Sequence, residues 1–184
     1  MDLFDVHSHH PSREGERVLL QGRDSWGIHP WKIPDNWREL CPPEGILAIG
    51  ESGLDKLCST PYALQEEVFR SQIQFSEERH LPLIIHCVKA IDDLLALKRE
   101  IHPHEPWIFH GFRGKPQQLR SLLDAGFYIS FGFRFCEESL LMCPMDRLLM
   151  ETDEDSRPVR LLYEKVAALR GPLSIPISDI LPNL

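Results

Sequence analysis

No stretch of the chain approaches the roughly 18 consecutive apolar residues of a membrane span, so a membrane protein is not expected. The opening MDLFDVHSHH has neither the basic stretch nor the long apolar core of a secretory leader. Cysteines are few and odd in number: Cys41, Cys58, Cys87, Cys136 and Cys143, with no CxxC spacing. That argues against a disulfide framework or a zinc knuckle, and a reduced, cytoplasmic protein is expected. Basic residues are outnumbered, 20 against 28 acidic, for a net charge of −8. A protein that coats nucleic acid neutralises phosphates with Lys and Arg, so that class is disfavoured. A nucleic-acid enzyme whose positive charge comes from bound metal is not. Internal repeats, low-complexity tracts and linkers are also missing, and one domain over residues 1–184 is expected.

What is present is an ordinary globular mixture, 42% hydrophobic and 26% charged. A chain of this length buries a core without disulfides. Eight short apolar runs read as strands: residues 3–9, 17–21, 25–29, 46–50, 83–86, 107–110, 127–131 and 147–152. Most are apolar on both sides, which suits a parallel sheet covered on both faces. Helices are expected over 61–79, 90–100, 116–124 and 158–169, with short turns near Trp37 and Glu138. Ser59 or Thr60 is placed to cap the first, Leu64, Val68, Ile73 and Phe75 form its apolar stripe, and Gly126 and Gly171 are placed to end later helices. The alternation predicts an α/β fold, a TIM-like (β/α)8 barrel, with an open α/β sheet as the alternative. At about 23 residues per unit the barrel must be abbreviated. The first three runs lie too close together for helices between them, so the first two outer helices are expected to be missing.

Asp5-Val6-His7-Ser8-His9 ends the first run. A strand alternates faces, so His7 and His9 point one way with Asp5 below them, and His10 points outward to solvent. Two imidazoles on one face make half of a metal site. Four more runs end in a metal-ligand type: Glu51, His86, His110 and Asp153. In a barrel these are the C-terminal strand ends, where catalytic residues gather. Burying one such group costs several kcal/mol unless it is paired or metal-bound. The competing reading, independent satisfied core histidines, requires the same coincidence at five strand ends. Cys87 follows His86 and should face the other way, and His80, His102 and His104 belong to loops at the opposite end of the barrel.

The pieces DVHSHH, WGIHPW, AIGESGLD, LPLIIHCVKA, FHGFRG, LRSLLDAGFYISFG and DRLLMETD, in that order, resemble the TatD-like metal-dependent hydrolases, the TatD-related deoxyribonucleases. The resemblance implies a TIM-like barrel holding two divalent ions, with Zn, Mn or Mg as the metal. It places His7, His9, Glu51 and Asp153 at one ion and Glu51, His86 and His110 at the other, with Glu51 bridging. It implies hydrolysis of phosphodiester bonds in DNA, often as an exonuclease. Two neighbouring ions acidify a shared water and clamp the phosphoryl oxygens, and Asp153 is the natural proton acceptor, which makes Asp153 and Glu51 the catalytic pair. The imidazole-rich donor set suits Zn or Mn better than an all-oxygen cage for Mg. His29 of GIHP lines the cleft or braces a ligand, and Asp55 of GLD braces one.

The chain also departs from the family pattern. Val88 and Lys89 stand where the family usually has an arginine after the ligand histidine, and Lys56 replaces an aromatic. Glu154 and Asp155 follow Asp153, where extra negative charge repels a polyanion, and the usual Pro-rich substrate loop is absent. Arg113 and Arg134, each following a matching strand, are the candidate substitutes for the phosphate contacts, with an ordinary surface arginine as the alternative for either. The expected partner is nucleic acid or a small phosphodiester, on a weakened grip. Two alternatives stand beside it: a hydrolase of small esters, amides or phosphates, and a non-catalytic metal-binding scaffold. Without outer helices, Phe4, Val6 and part of Val18, Leu19, Leu20, Trp26 and Ile28 would form a bare apolar face. The tail, with Leu173, Ile175, Ile177, Ile180, Leu181 and Leu184, or a second copy in a homodimer, is expected to cover it.

Overall fold

The computed structural model describes residues 3–173 and 175–181. Eight strands follow the apolar runs: β1 (Leu3–Ser8), β2 (Glu16–Leu20), β3 (Ser25–Trp26), β4 (Ala48–Asp55), β5 (Leu83–Val88), β6 (Trp107–Phe109), β7 (Tyr128–Phe131) and β8 (Leu148–Met150). Strands β3 to β8 form one parallel sheet in chain order, and β1 and β2 form a parallel pair. Isolated parallel bridges, Ser8 to Asp153 and Gln21 to Ser25, join the pair to the sheet at both edges. The ring is therefore closed, and the open-sheet alternative falls away.

Helices α1 (Tyr62–Arg79), α2 (Ile91–Ile101), α3 (Pro116–Asp124), α4 (Glu137–Met142) and α5 (Val159–Arg170) follow strands β4 to β8 in turn, and α6 (Ile177–Ile180) lies in the tail. Before β4 the connections carry a single 3-10 turn, Trp37–Glu39, so the barrel is abbreviated on that side. None of these helices is long and apolar enough to cross a membrane. Ser59 and Thr60 do not cap α1. Pro61 occupies the cap position, and the Thr60 carbonyl instead accepts from the side chain of Gln65.

The strand residues divide between two cores. One face of the sheet, with Ile49, Leu83, Ile85, Trp107, Phe109, Leu148 and Met150, packs under the helices. The other face gives an inner cluster of Ala48, Ile84, Ile108 and Leu149. Phe4, Val6 and Leu19 belong to that inner cluster, which corrects their expected outward placement. The physical reason is a register shift in β1 between Asp5 and Ser8 that breaks strict alternation, so that Val6 and His7 are both buried. Ile180 and Leu181 pack on the same cluster, and Ile28 is buried with Trp37 and Val68. The tail thus supplies the cover, and the motive for a dimer through a bare face disappears. Leu184, also assigned to that cover, lies outside the described residues.

Candidate metal centre

Glycine lets β4 approach β5 closely enough to bring the two strand ends together. Gly50 (φ +129°) and Gly53 (φ +154°) adopt backbone angles that L side chains avoid, and a Cβ at either would collide with the Ile84 or His86 carbonyl. Between them, Glu51 points into the ring of strand ends. Its Oε1 lies 2.8 Å from His86 Nδ1, 2.9 Å from His110 Nε2 and 3.3 Å from His29 Nε2. Its Oε2 lies 3.4 Å from His7 Nε2. One carboxylate is thus surrounded by four imidazoles from four segments of the chain. Burial alone would push Glu51 up, but the charge and hydrogen bonding of His110, with His29 beside it, outweigh it, holding the carboxyl far below its usual range.

Asp153 closes the other side, with Oδ1 3.8 Å from His7 Nε2 and 3.7 Å from His9 Nε2. Burial pushes its carboxyl up, against the His110 charge that lowers it. The six residues singled out in the sequence therefore sit at one end of the barrel, His9 being the exposed member. The donor atoms of His7, His9 and Asp153 converge, as do those of His7, Glu51 and His110, and those of His29, Glu51 and His86, each set within 4.8 Å. Each set could hold a divalent ion. A direct sign of fit comes from His7: its side chain is fully buried, and among the described residues neither ring nitrogen has a hydrogen-bond partner. A buried imidazole in that state is costly unless a cation takes its lone pair.

Surrounding residues fix the donors. Asp55 Oδ2 lies 3.0 Å from His86 Nε2, the bracing role expected of it. Helix α1 anchors Asp55 in turn: Gln65 accepts the Asp55 N–H at 2.7 Å and donates to its carbonyl at 3.0 Å. Gln72, about two turns further along, accepts the N–H of Ile28 beside His29. Glu151, fully buried, lies 3.1 Å from His110 Nδ1. For His110 burial disfavours the charged ring, but Glu151 and Glu51 on either side raise its value well above the ordinary one. Asp5 is not beneath the imidazoles. It accepts from the Thr152 hydroxyl at 2.7 Å and amide at 3.0 Å, tying β1 to the segment that carries Asp153.

A cleft of about 760 Å³ opens over these donors. Arg113 and Arg134 line it, and so do Lys32 and Lys89. Glu154 joins Glu51 and Asp153 as an acidic residue of the lining, whereas Asp155 is engaged by Arg157 at 2.6 Å and does not line the cleft. Lys56 pairs with Asp93 at 2.5 Å. Cys87 reaches the wall, but burial pushes its thiol up to about 12, so it is no nucleophile at neutral pH. His10, expected in solvent, is half-buried with Nε2 3.0 Å from the Glu154 carbonyl. His80 and His104 lie in exposed loops against Glu105 and Glu77, and His102 caps α2, away from the site.

Sequence reasoning missed two residues here. Gln21 accepts the N–H of Glu51 and the hydroxyl of Ser25 through one oxygen, at 3.2 and 2.8 Å. Nothing in its local pattern marks that role. Glu151 had a signal: two residues before Asp153 it extends the same strand face.

A family model described as TatD related DNase matches residues 20–168. The uncharacterized metal-dependent hydrolase YcfH of Escherichia coli (strain K12) is 34% identical over 186 residues, covering 84% of this chain and 70% of that protein. The uncharacterized metal-dependent hydrolase YabD of Bacillus subtilis (strain 168) is 39% identical over 125 residues, covering 63% of this chain and 49% of that protein. A protein named 3'-5' ssDNA/RNA exonuclease TatD from Salmonella typhimurium is 34% identical over 171 residues, covering 78% of this chain and 63% of that one. The chain thus spans between about half and 70% of the length of these relatives. The crystal structure of YjjV, a TatD homologue from Escherichia coli, superposes with a TM-score of 0.75 at 18% identity, over 98% of this chain and 95% of that one, a likeness of fold. A closed barrel with its histidines and carboxylates gathered at one end, matched over most of its length by that model, places the chain in the TatD-related DNase family of metal-dependent hydrolases.

Proposed function

We propose that the protein is a two-metal phosphodiesterase that hydrolyses nucleic acid, as an exonuclease on DNA. The observation that carries this reading is Glu51, whose two oxygens reach imidazoles on both sides and so suit a bridging ligand. His7, His9 and Asp153 would complete one ion, and His86 and His110 the other. His29, 3.3 Å from Glu51 Oε1, stands beside the second set as a further ligand or a brace. Bound divalent ions supply Lewis acidity toward a phosphoryl oxygen and a more acidic water.

The chain's own residues do the rest. Asp55 holds the His86 imidazole and Gln21 holds the Glu51 backbone in place, so the donors need no rearrangement as charge develops. Asp153, half-buried at the rim of the cleft beside His7 and His9, takes the proton of the attacking water on its carboxylate. Lys32, Lys89, Arg113 and Arg134 set a positive wall for the phosphates despite the overall net charge of −8. Five unpaired cysteines suit a reducing compartment such as the cytoplasm. Glu154 on the same wall favours the second reading, a smaller diester or other small ester as substrate.

The test is turnover by the Mn- or Zn-loaded protein on single-stranded DNA, bis-p-nitrophenyl phosphate, p-nitrophenyl phosphate and a simple ester. Diester cleavage that needs added metal, and that Asp153→Asn lowers by at least about a hundredfold, supports the reading. Cleavage of the simple ester alone moves the assignment to small-molecule hydrolysis. An Asp153→Asn protein that works at the parental rate removes Asp153 as the acceptor.

A further inference from the structure

Trp31 and Leu57 are the two most exposed of the large hydrophobic side chains, at 59% and 72%. Both are tied to one residue. Trp31 donates its indole N–H to Asp55 Oδ2 at 2.6 Å, and the backbone N–H of Leu57 is donated to Asp55 Oδ1 at 2.7 Å. The Trp31 backbone N–H is donated in turn to His29 Nδ1 at 3.1 Å. The indole is thus held outward by its N–H and its backbone by His29, with the side chain 59% exposed. It stands edge-on to His29 and His86, with ring centroids 5.1 and 5.8 Å away, and lines the cleft beside Lys32.

An exposed indole locked in place leaves one broad apolar face toward solvent at the mouth of the cleft. Held in the lining of a cleft that also carries Lys32, Lys89, Arg113 and Arg134, that ring face is placed to meet whatever enters the cleft. The flat partner that matches it, in a cleft also lined with cations, is a nucleobase carried on a phosphate chain. Every base offers a π-face, and stacking on an aromatic side chain is tolerant of sequence. A base inside a duplex has both faces covered by its neighbours. We infer that Trp31 is the stacking platform for an unpaired base next to the bond that is cut, and so selects a single-stranded end. This rests on the phosphodiesterase reading above.

The test uses the full chain loaded with Mn. KM and kcat are measured on a short thymidine oligonucleotide and on the same oligomer with abasic sugars, for the parent, Trp31→Ala and Trp31→Phe. Trp31→Ala should raise KM for the thymidine oligomer by about tenfold with kcat little changed, and leave the abasic oligomer unaffected. Trp31→Phe keeps a ring but loses the bond to Asp55, and should stay within about threefold of the parent. Equal losses in both variants on both oligomers mean that Trp31 acts through Asp55 and His86, and overturn the platform. So does a Trp31→Ala protein with unchanged KM. A parent that cleaves bis-p-nitrophenyl phosphate but neither oligonucleotide overturns the platform and leaves the diesterase reading standing. A parent that cleaves no diester at all overturns that reading itself.

Discussion

Adding divalent metal to the metal-free protein should raise its melting temperature by an amount that reports the number of sites. A ligand that binds only the folded chain stabilises it by RT ln(1 + [L]/Kd), about 2.7 kcal/mol per site at a hundredfold excess over Kd. Unfolding entropy near 2.1 cal/mol/K per residue over 184 residues makes that a rise of about 7 °C per site, and roughly twice that for two. Glu51 faces His7 through one oxygen and His86 and His110 through the other, so Glu51→Ala weakens both sites together. His9, exposed and grouped with His7 and Asp153 only, belongs to one site, so His9→Ala should forfeit about half of the rise. Differential scanning fluorimetry, with each variant compared with its own metal-free baseline, separates lost metal binding from lost packing. Glu51→Ala should shift by less than about 3 °C. A full shift in that variant refutes the bridging arrangement, and equal shifts in the two variants refute the assignment of His9 to one site.

Lys98 lies over Trp107 and Phe127 at 4.7 and 4.9 Å, and burial lowers its ammonium from 10.5 to about 8. Because the unfolded chain holds that proton more tightly, stability should rise with pH between about 8 and 10.5, while below 8 the full penalty stands. The shift alone corresponds to about 3 kcal/mol. Solvent contact and the two cation–π contacts reduce it, so Lys98→Met should stabilise by about 1 kcal/mol at pH 7 and flatten the dependence. Urea unfolding at pH 7 and 9.5 reads both, and a destabilised variant shows that the cation–π contacts win. Ile180→Ala should cost about 2–4 kcal/mol in the same assay, because Ile180 completes the inner cluster with Phe4 and Val6. A cost near zero means that the tail does not cover the barrel.

The eight strands were legible because each is a short apolar run bounded by polar residues, and in a barrel covered on both sides such a run has few other fates. The site was legible for a related reason. Glu51, His86, His110 and Asp153 each break an apolar run at its C-terminal end, where a buried ionisable group needs a purpose. Alternation failed in β1, where the shift between Asp5 and Ser8 puts Val6 and His7 both in the interior. The α1 stripe was also misread: Gln65 and Gln72 are buried alongside Val68 and Ile73, while Leu64 and Phe75 are half-buried. Those amides hydrogen-bond Asp55 and Ile28, partners separated from α1 by a turn of chain or by a whole strand, and hydrophobic periodicity carries no sign of them.

Net charge speaks only to the surface as a whole. A total of −8 sums the whole surface, whereas a substrate meets the field of the cleft. There Lys32, Lys89, Arg113 and Arg134 gather, while Asp155, Asp93 and Glu100 spend their charge on Arg157, Lys56 and Arg70 elsewhere. The acidic excess therefore argues against a protein that coats nucleic acid along its length. It does not argue against one that admits a single strand end to a positively lined cleft, and only the folded arrangement of the ion pairs distinguishes the two.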